Sequence, residues 1–78
     1  ELLSIRGIKA SFVLTEYEGK IYVSARAIDE VNVQVIMERL GGGGHINTAG
    51  TQFQHTDMEE AAKALKQTIE NMIAEGDI

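Results

Sequence analysis

A run of four glycines that ends in a histidine is the feature of this 78-residue sequence most suggestive of chemistry. Residues 40–50 read LGGGGHINTAG, so half of the chain's 8 glycines stand side by side. Successive backbone N–H groups in such a turn can form a concavity that binds anions without any cationic side chain. We therefore predict that Gly42–Gly44 bind a phosphate and that His45 donates a further hydrogen bond to it. A purely structural turn, with Gly41 ending a helix, remains the alternative.

Spacing excludes two common phosphate loops. The dinucleotide fingerprint G-x-G-x-x-G, counted from Gly41, requires a glycine at position 46, which is Ile46, and no predicted strand leads into the run. The Walker pattern requires Lys and then Ser or Thr after its last glycine, where this sequence has His45 and Ile46. The glycine run therefore belongs to neither class.

Arg26 is a second candidate phosphate ligand. It alternates with Ser24 and Tyr22 along a predicted strand, so the three side chains share one face, and Arg forms the bidentate contacts that suit phosphate. On the residues alone, an Arg on a solvated strand face is the more common situation. Asn47 and Thr48 can hydrogen-bond a base or ribose, or cap the loop.

Residues suited to holding metal ions are sparse. One His without a second His or a carboxylate pair makes a poor metal site, and His55 is interpreted as a surface residue. Two-metal phosphoryl chemistry needs clustered Asp and His side chains, whereas Asp29, Asp57 and Asp77 are scattered along the sequence. We expect the 78 residues alone to be catalytically inactive.

Composition favours a small folded domain. Hydrophobic residues make up 44% and charged residues 24% of the chain, which is typical of globular proteins. The formal net charge of -5 disfavours nonspecific binding to a nucleic-acid backbone, which requires many cations. With 0 Cys and no apolar run long enough to span a bilayer, we expect a cytoplasmic domain that makes no direct membrane contact. The first residues, ELLSIR, suggest a piece cut from a longer chain.

Strand signals come first along the sequence. Apolar and polar residues alternate over 8–15 and again over 21–26, separated by a polar segment that contains Gly19, which predicts a hairpin. A third, shorter strand is predicted over 51–54.

Helix signals alternate with these strands. The apolar spacing of residues 33–40 predicts a helix that begins after Asp29 or Asn32 and ends at Gly41. Thr56 and Glu59 fit a capping box for a second helix that runs nearly to Gly76. Its predicted apolar stripe consists of Met58, Ala61, Ala62, Leu65, Ile69, Met72 and Ile73. The opening residues 1–6 are interpreted as the end of a longer helix.

These elements predict an α+β fold. We expect a small mixed sheet of about three strands, a hairpin plus one, with helices packed on one face. Residues 1–78 would form a single domain.

The order of these motifs resembles a known family. Ser24-Ala25-Arg26, then the segment NVQVIME that begins at Asn32, then GGGGH and Ala49-Gly50 are similar to the C-terminal DHH-associated domain of DHH-family phosphodiesterases. The resemblance covers residues 5–53 and is strongest to the GdpP (YybT) type, membrane-anchored bacterial enzymes that hydrolyse cyclic di-AMP. Ala27 departs from the pattern, since the family often has Ser there, and this removes one candidate hydroxyl contact.

The resemblance implies where the chemistry lies. In this family a preceding DHH domain of the same chain holds two metal ions, usually manganese, and the associated domain closes over it and contacts the cyclic dinucleotide or short oligonucleotide substrate. The implied substrate-binding residues here are Arg26, Gly42, Gly43, Gly44, His45 and Ser24. No catalytic residue, metal ligand or cofactor is expected within the chain itself.

Several alternatives stay open. The chain can instead belong to a RecJ-type exonuclease or an oligoribonuclease, or it can be a nucleic-acid-binding module with no enzymatic role. A homodimer is also left open, as are the metal and the preferred dinucleotide. Net charge favours the enzyme, because an acidic domain holds a polyanion poorly without metal ions supplied by another part of the protein.

Overall fold

The computed structural model describes residues 2–3, 8–28 and 31–78. Its elements are, in chain order, β1 (Leu2–Leu3), β2 (Ala10–Tyr17), β3 (Lys20–Ala27), α1 (Val33–Arg39), β4 (Gly43–Gly44), β5 (Thr48–Gln54) and α2 (Met58–Glu75). The helix predicted over residues 1–6 is wrong at Leu2–Leu3, which pair with β2 as a strand. The other residues of that predicted helix, and the candidate cap Asp29, lie outside the described residues.

The five strands form one sheet in the order β1-β2-β3-β5-β4. Each adjacent pair of strands in the described part of the chain is antiparallel. The predicted mixed sheet is therefore an antiparallel one. The two strands beyond the predicted three, β1 and β4, have two residues each, too few to give an alternating pattern. The predicted α+β class, with a hairpin, a further strand and helices on one face, is confirmed.

A two-residue turn joins β2 to β3. Tyr17 lies opposite Lys20, and the turn residues Glu18 and Gly19 have φ of 51° and 77°. Positive φ at both positions matches the right-handed twist of a hairpin, and the Gly accepts it at little cost. The hairpin is confirmed, with β2 ending two residues later than the alternation predicted.

The core lies between the inner face of the sheet and the two helices. Alternate residues of β2 and β3 are buried there, and Phe12, Leu14 and Ile21 are 0% exposed. Burying each such side chain contributes about 1.5–3 kcal/mol. The helices supply Val33, Ile36, Met37, Ala61, Leu65, Ile69 and Met72. The apolar stripe predicted for α2 is largely confirmed, but Ile73 is 41% exposed, next to the buried Met72.

Helix α1 begins and ends as the sequence predicts. The Asn32 side chain accepts hydrogen bonds from the N–H groups of Gln34 and Val35 at 3.0 and 3.3 Å, which caps the helix. At the other end, Gly41 has a φ of 88°. The N–H groups of Gly41 and Gly42 donate to carbonyls in the last turn of α1 at 3.0 and 2.7 Å. This is the Schellman arrangement, in which a left-handed residue after the helix satisfies its terminal carbonyls.

Helix α2 begins one residue later than predicted. Asp57, not Thr56, is the N-cap, and its carboxylate accepts a hydrogen bond of 2.8 Å from the N–H of Glu60. A carboxylate caps a helix as well as a hydroxyl does. Asp57 is three residues from Glu60, as Thr56 is from Glu59, so the capping-box pattern fits either residue as the N-cap.

The two helices end side by side. Helix α2 ends in the same arrangement as α1, with Gly76 at a φ of 80° and the N–H groups of Gly76 and Asp77 donating to its last turn at 3.1 and 2.8 Å. Arg39, at the end of α1, forms ion pairs with Glu75 at 2.7 Å and Asp77 at 2.8 Å. No helix in the described residues is both long and apolar enough to cross a membrane.

Candidate functional site

The helices leave one face of the sheet open. Helix α1 contacts β3 and β5, and α2 contacts β2, all through the buried face. On the opposite face, Val13 is 44% exposed and Tyr22 is 40% exposed, although both are large hydrophobic side chains. We call this surface the open face.

Arg26 lies in a row of polar residues that crosses the open face. It is opposite Ser11 on β2 and opposite Thr48 on β5. His45 extends the row, because its N–H donates to the carbonyl of Thr48 at 2.7 Å. Adjacent strands are about 4.8 Å apart, so the backbones of Arg26 and His45 are separated by about 10 Å, with Thr48 between them. An anion bound above Thr48 would lie between these two residues.

The side chains of Arg26 and His45 are both exposed. Within the part of the chain that the structure describes, neither forms an ion pair or a side-chain hydrogen bond. Arg39, in contrast, is fully engaged by Glu75 and Asp77, and the hydrogen bond to Glu75 raises the pKa of Arg39 above its ordinary value. Arg26 therefore keeps its donors available for a ligand.

A second row, next to that of Arg26, has small side chains on β3, β5 and β4. Its residues are Val13 on β2, Ser24 on β3, Gly50 on β5 and Gly43 on β4. Ser24 lines two shallow concavities of the open face, one with Arg26 and Thr48 and one with Tyr22. The predicted residues Ser24, Arg26, Gly43 and His45 are thus brought together on one surface.

The glycine run does not offer the series of unpaired N–H groups that the sequence suggested. The N–H of Gly42 donates to the Met37 carbonyl, and Gly43–Gly44 form β4 against β5. Because bonding pairs alternate in an antiparallel ladder, the bond at His45 implies that Gly43 bonds β5 and that the Gly44 N–H faces the outer edge. Substrate contact by these glycines stays a prediction. The reason for it changes, however: the glycines would let a ligand approach the backbone closely, and would not bind an anion through a series of free N–H groups.

The fold requires glycine at two positions of the run beyond the helix cap. A Cβ on Gly42 would collide with the Gly50 carbonyl and lie 2.6 Å from the Thr51 Cβ. At Gly44, where φ is 143°, a Cβ would lie 2.5 Å from the Cα of Ala49. A Cβ on Gly43 would meet nothing within 4 Å, and its φ is not in the left-handed region. Packing therefore explains Gly42 and Gly44 but not Gly43.

Residues 48–50 of this surface were predicted to be a loop and are part of a strand. The third strand was predicted from residue 51, whereas β5 begins at Thr48 and brings Thr48 and Gly50 onto the open face. The signal was present, since Ala49, Thr51 and Phe53 alternate towards the core, but Gly50 weakens it. Asn47 stays in the turn before β5, and His55 is exposed as predicted.

Side chains of the types that bind metal ions are dispersed over the structure. Among the described residues there is no group of three or more His, Cys, Asp and Glu side chains that could hold a metal ion.

The chain belongs to the DHHA1 domain family, whose pattern matches residues 1–71. This confirms the resemblance to DHH-associated domains on which the sequence prediction rests.

Relatives within the family include enzymes that act on dinucleotides. The chain is 47% identical over 70 residues to the cyclic-di-AMP phosphodiesterase PdeA of Listeria monocytogenes, a match that covers 88% of this chain and 11% of that protein. It is 43% identical over 76 residues to the cyclic-di-AMP phosphodiesterase GdpP of Geobacillus thermodenitrificans, covering 96% of this chain and 12% of that protein. The chain thus spans about a tenth of the length of these relatives.

A more distant relative acts on other substrates. The bifunctional oligoribonuclease and PAP phosphatase NrnA of Thermus thermophilus is 31% identical over 65 residues, which covers 83% of this chain and 20% of that protein.

Proposed function

We propose that this chain is the substrate-binding part of a bacterial DHH-family phosphodiesterase that hydrolyses cyclic di-AMP to a linear dinucleotide. Two relatives at 47% and 43% identity carry the name cyclic-di-AMP phosphodiesterase, which supports this substrate. The open face supplies what recognition of a phosphodiester requires, namely a cation whose donors are available, further hydrogen-bond donors and bare backbone.

The observation that carries the proposal is the position of Arg26 and His45 on either side of Thr48, beside Gly43. Arg26 forms two parallel N–H···O bonds to a phosphate, a geometry that fixes orientation as well as adding affinity. His45 donates from the other side of Thr48. Gly43 lets the sugar–phosphate backbone approach the sheet closely, since no side chain stands there.

Ser24 adds a hydroxyl next to these groups. It lies one row from Arg26 on β3 and directly opposite Gly50 on β5. A hydroxyl can donate to a phosphate oxygen or accept from a ribose hydroxyl, so Ser24 can bind either the phosphate or the sugar of the ligand. Together these residues hold the scissile phosphodiester in a fixed position, which is the main protein contribution to phosphoryl transfer.

The rest of the reaction is proposed to take place on the DHH domain of the same protein. Two manganese ions bound there would generate the attacking hydroxide and stabilise charge on the phosphate. The parent protein is proposed to be anchored in the bacterial membrane with this domain in the cytoplasm, as a monomer or a homodimer.

Substitution of Arg26 and His45 tests the proposal. In the full-length protein, Arg26→Ala and His45→Ala should each lower kcat/KM for cyclic di-AMP by an order of magnitude or more, because loss of a preorganised donor costs about 2–4 kcal/mol. Lys20→Ala is the matched control, since Lys20 is a cation at the far end of the same strand. Unchanged kcat/KM in both Arg26→Ala and His45→Ala would refute the site.

Short RNA is the second candidate substrate. The oligoribonuclease relative favours it, and a phosphate-binding face of this kind suits any phosphodiester. Comparison of kcat/KM for cyclic di-AMP and for a short oligoribonucleotide, with manganese added, decides between them. A preference for RNA of tenfold or more would make the chain part of an oligoribonuclease.

A further inference from the structure

The open face continues past the phosphate-binding groups into a second concavity. Tyr22 and Gln52 are directly opposite each other on β3 and β5, one row beyond Ser24 and Gly50. Both line this concavity, together with Ser24 and the backbone of Gly42. None of the roles described above uses Tyr22 or Gln52.

The two concavities lie side by side along β3 and share Ser24. Tyr22 is four residues from Arg26 on the same face of β3, which is about 13 Å along the strand. On the β3, β5 and β4 side of the row between them stand the small residues Ser24, Gly50 and Gly43, with Val13 on β2. A phosphate held by Arg26 and His45 can thus place its sugar over these small residues and its base over Tyr22.

The two side chains have the chemistry to bind a base. Tyr22 presents an aromatic ring that is 40% exposed, and bases stack on such rings. Gln52 is exposed, and its amide bonds no other side chain among the described residues. A carboxamide has one acceptor oxygen beside a donor NH₂ group.

On the edge of the base that carries N7, this donor and acceptor pair distinguishes the two purines. Adenine presents its N6 donor next to the N7 acceptor, which a glutamine amide matches with two hydrogen bonds. Guanine presents two acceptors, O6 and N7, on the same edge, so one of the two bonds is lost.

We propose that Tyr22 and Gln52 form an adenine-binding subsite, in which Tyr22 stacks on the base and Gln52 selects adenine over guanine. This inference rests on the proposed function, because it takes the position of the phosphate from Arg26 and His45.

Equilibrium binding by the full-length protein tests the subsite, with calcium in place of manganese so that the proposed metal sites stay charged, and with the ligand checked to be uncleaved. Calorimetric titration with cyclic di-AMP, cyclic di-GMP and ribose 5-phosphate separates base recognition from phosphate recognition. Tyr22→Ala should raise the Kd for both dinucleotides about tenfold, since the stacking surface is lost. Gln52→Ala should raise the Kd for cyclic di-AMP about tenfold and bring it close to that for cyclic di-GMP. Neither variant should change the binding of ribose 5-phosphate.

The sheet offers a matched control for each substitution. Tyr17 is an exposed tyrosine and Gln54 an exposed glutamine on the same face, one row further from Ser24, so Tyr17→Ala and Gln54→Ala should leave all three Kd values unchanged. Wild-type affinity and selectivity in both Tyr22→Ala and Gln52→Ala would overturn the subsite while leaving the proposed function intact. Failure of the wild-type protein to bind any dinucleotide or oligonucleotide would overturn both.

Discussion

The ends of the two helices show which glycines the fold explains. Helix α1 ends at Gly41 and helix α2 ends at Gly76, with φ of 88° and 80° and the same two backbone hydrogen bonds into the last turn. After Gly76 the chain continues with Asp77, which pairs with Arg39. After Gly41 it continues with three more glycines. A helix cap therefore accounts for the first glycine of the run and for none of the others.

The glycines that follow α1 are present for three different physical reasons. Gly41 is needed for its left-handed backbone, and Gly42 and Gly44 are needed because the chain passes too close to β5 for a Cβ. Gly43 has neither reason, and it lies opposite Gly50 on the open face. Under the proposed function, a ligand that approaches the backbone closely gives a physical reason for a glycine there.

The largest effect is expected at the two packed glycines. Gly44→Ala combines an unfavourable φ with a collision against Ala49, and should lower the free energy of unfolding by about 2–4 kcal/mol. Gly42→Ala should cost a similar amount, because its Cβ would meet backbone atoms of β5 that cannot move aside. Urea denaturation followed by circular dichroism measures both. A loss below about 0.5 kcal/mol at both positions would show that β4 does not pack against β5 this closely.

Gly43→Ala should separate stability from function. We expect the free energy of unfolding to change by less than about 0.5 kcal/mol, since the added methyl group meets nothing. In the full-length protein kcat/KM for cyclic di-AMP should fall about tenfold, because the methyl group lifts the phosphate away from Arg26 and His45. Wild-type kcat/KM in this variant would mean that Gly43 has no role in ligand binding.

The two helix caps should respond alike, and more weakly. Gly41→Ala and Gly76→Ala each place a Cβ in open space but at positive φ, so each should cost about 1 kcal/mol of unfolding free energy. The same denaturation measurement compares them directly. A much larger loss at Gly41 than at Gly76 would show that the left-handed residue at Gly41 also holds the glycine run in place.

The sequence predicted the local features of the fold and missed those set by pairing between distant strands. The hairpin, the Asn32 cap and the Gly41 helix end each depend on a few neighbouring residues, and all are confirmed. Strand β4 could not be predicted, because two glycines carry no pattern and become a strand only where β5 pairs with them. The same pairing occupies N–H groups of the glycine run that the sequence alone left available for a ligand.

For the candidate site, individual residues could be predicted from the sequence, but their positions relative to one another could not. Ser24 and Arg26 could be placed on one face, because alternation within a strand is a local property. Their position next to His45 and Gly43 follows from the register of β5 between β3 and β4, which no spacing in the sequence specifies. Gly50 and Gln52 were missed for the same reason.

The connection between β3 and β5 has a consequence for how the site is assembled. Strands β2 and β3 are joined by a two-residue turn, whereas β3 and β5 meet only after the chain has passed through α1 and the glycine run. Closing the longer loop costs more chain entropy, so separation of β3 from β5 is an easier opening than separation of the hairpin. That opening divides the open face between Arg26 and Thr48. Under the proposed function, a nucleotide that bridges the two strands would bind only the closed form, so its binding would add to the stability of the pairing between β3 and β5.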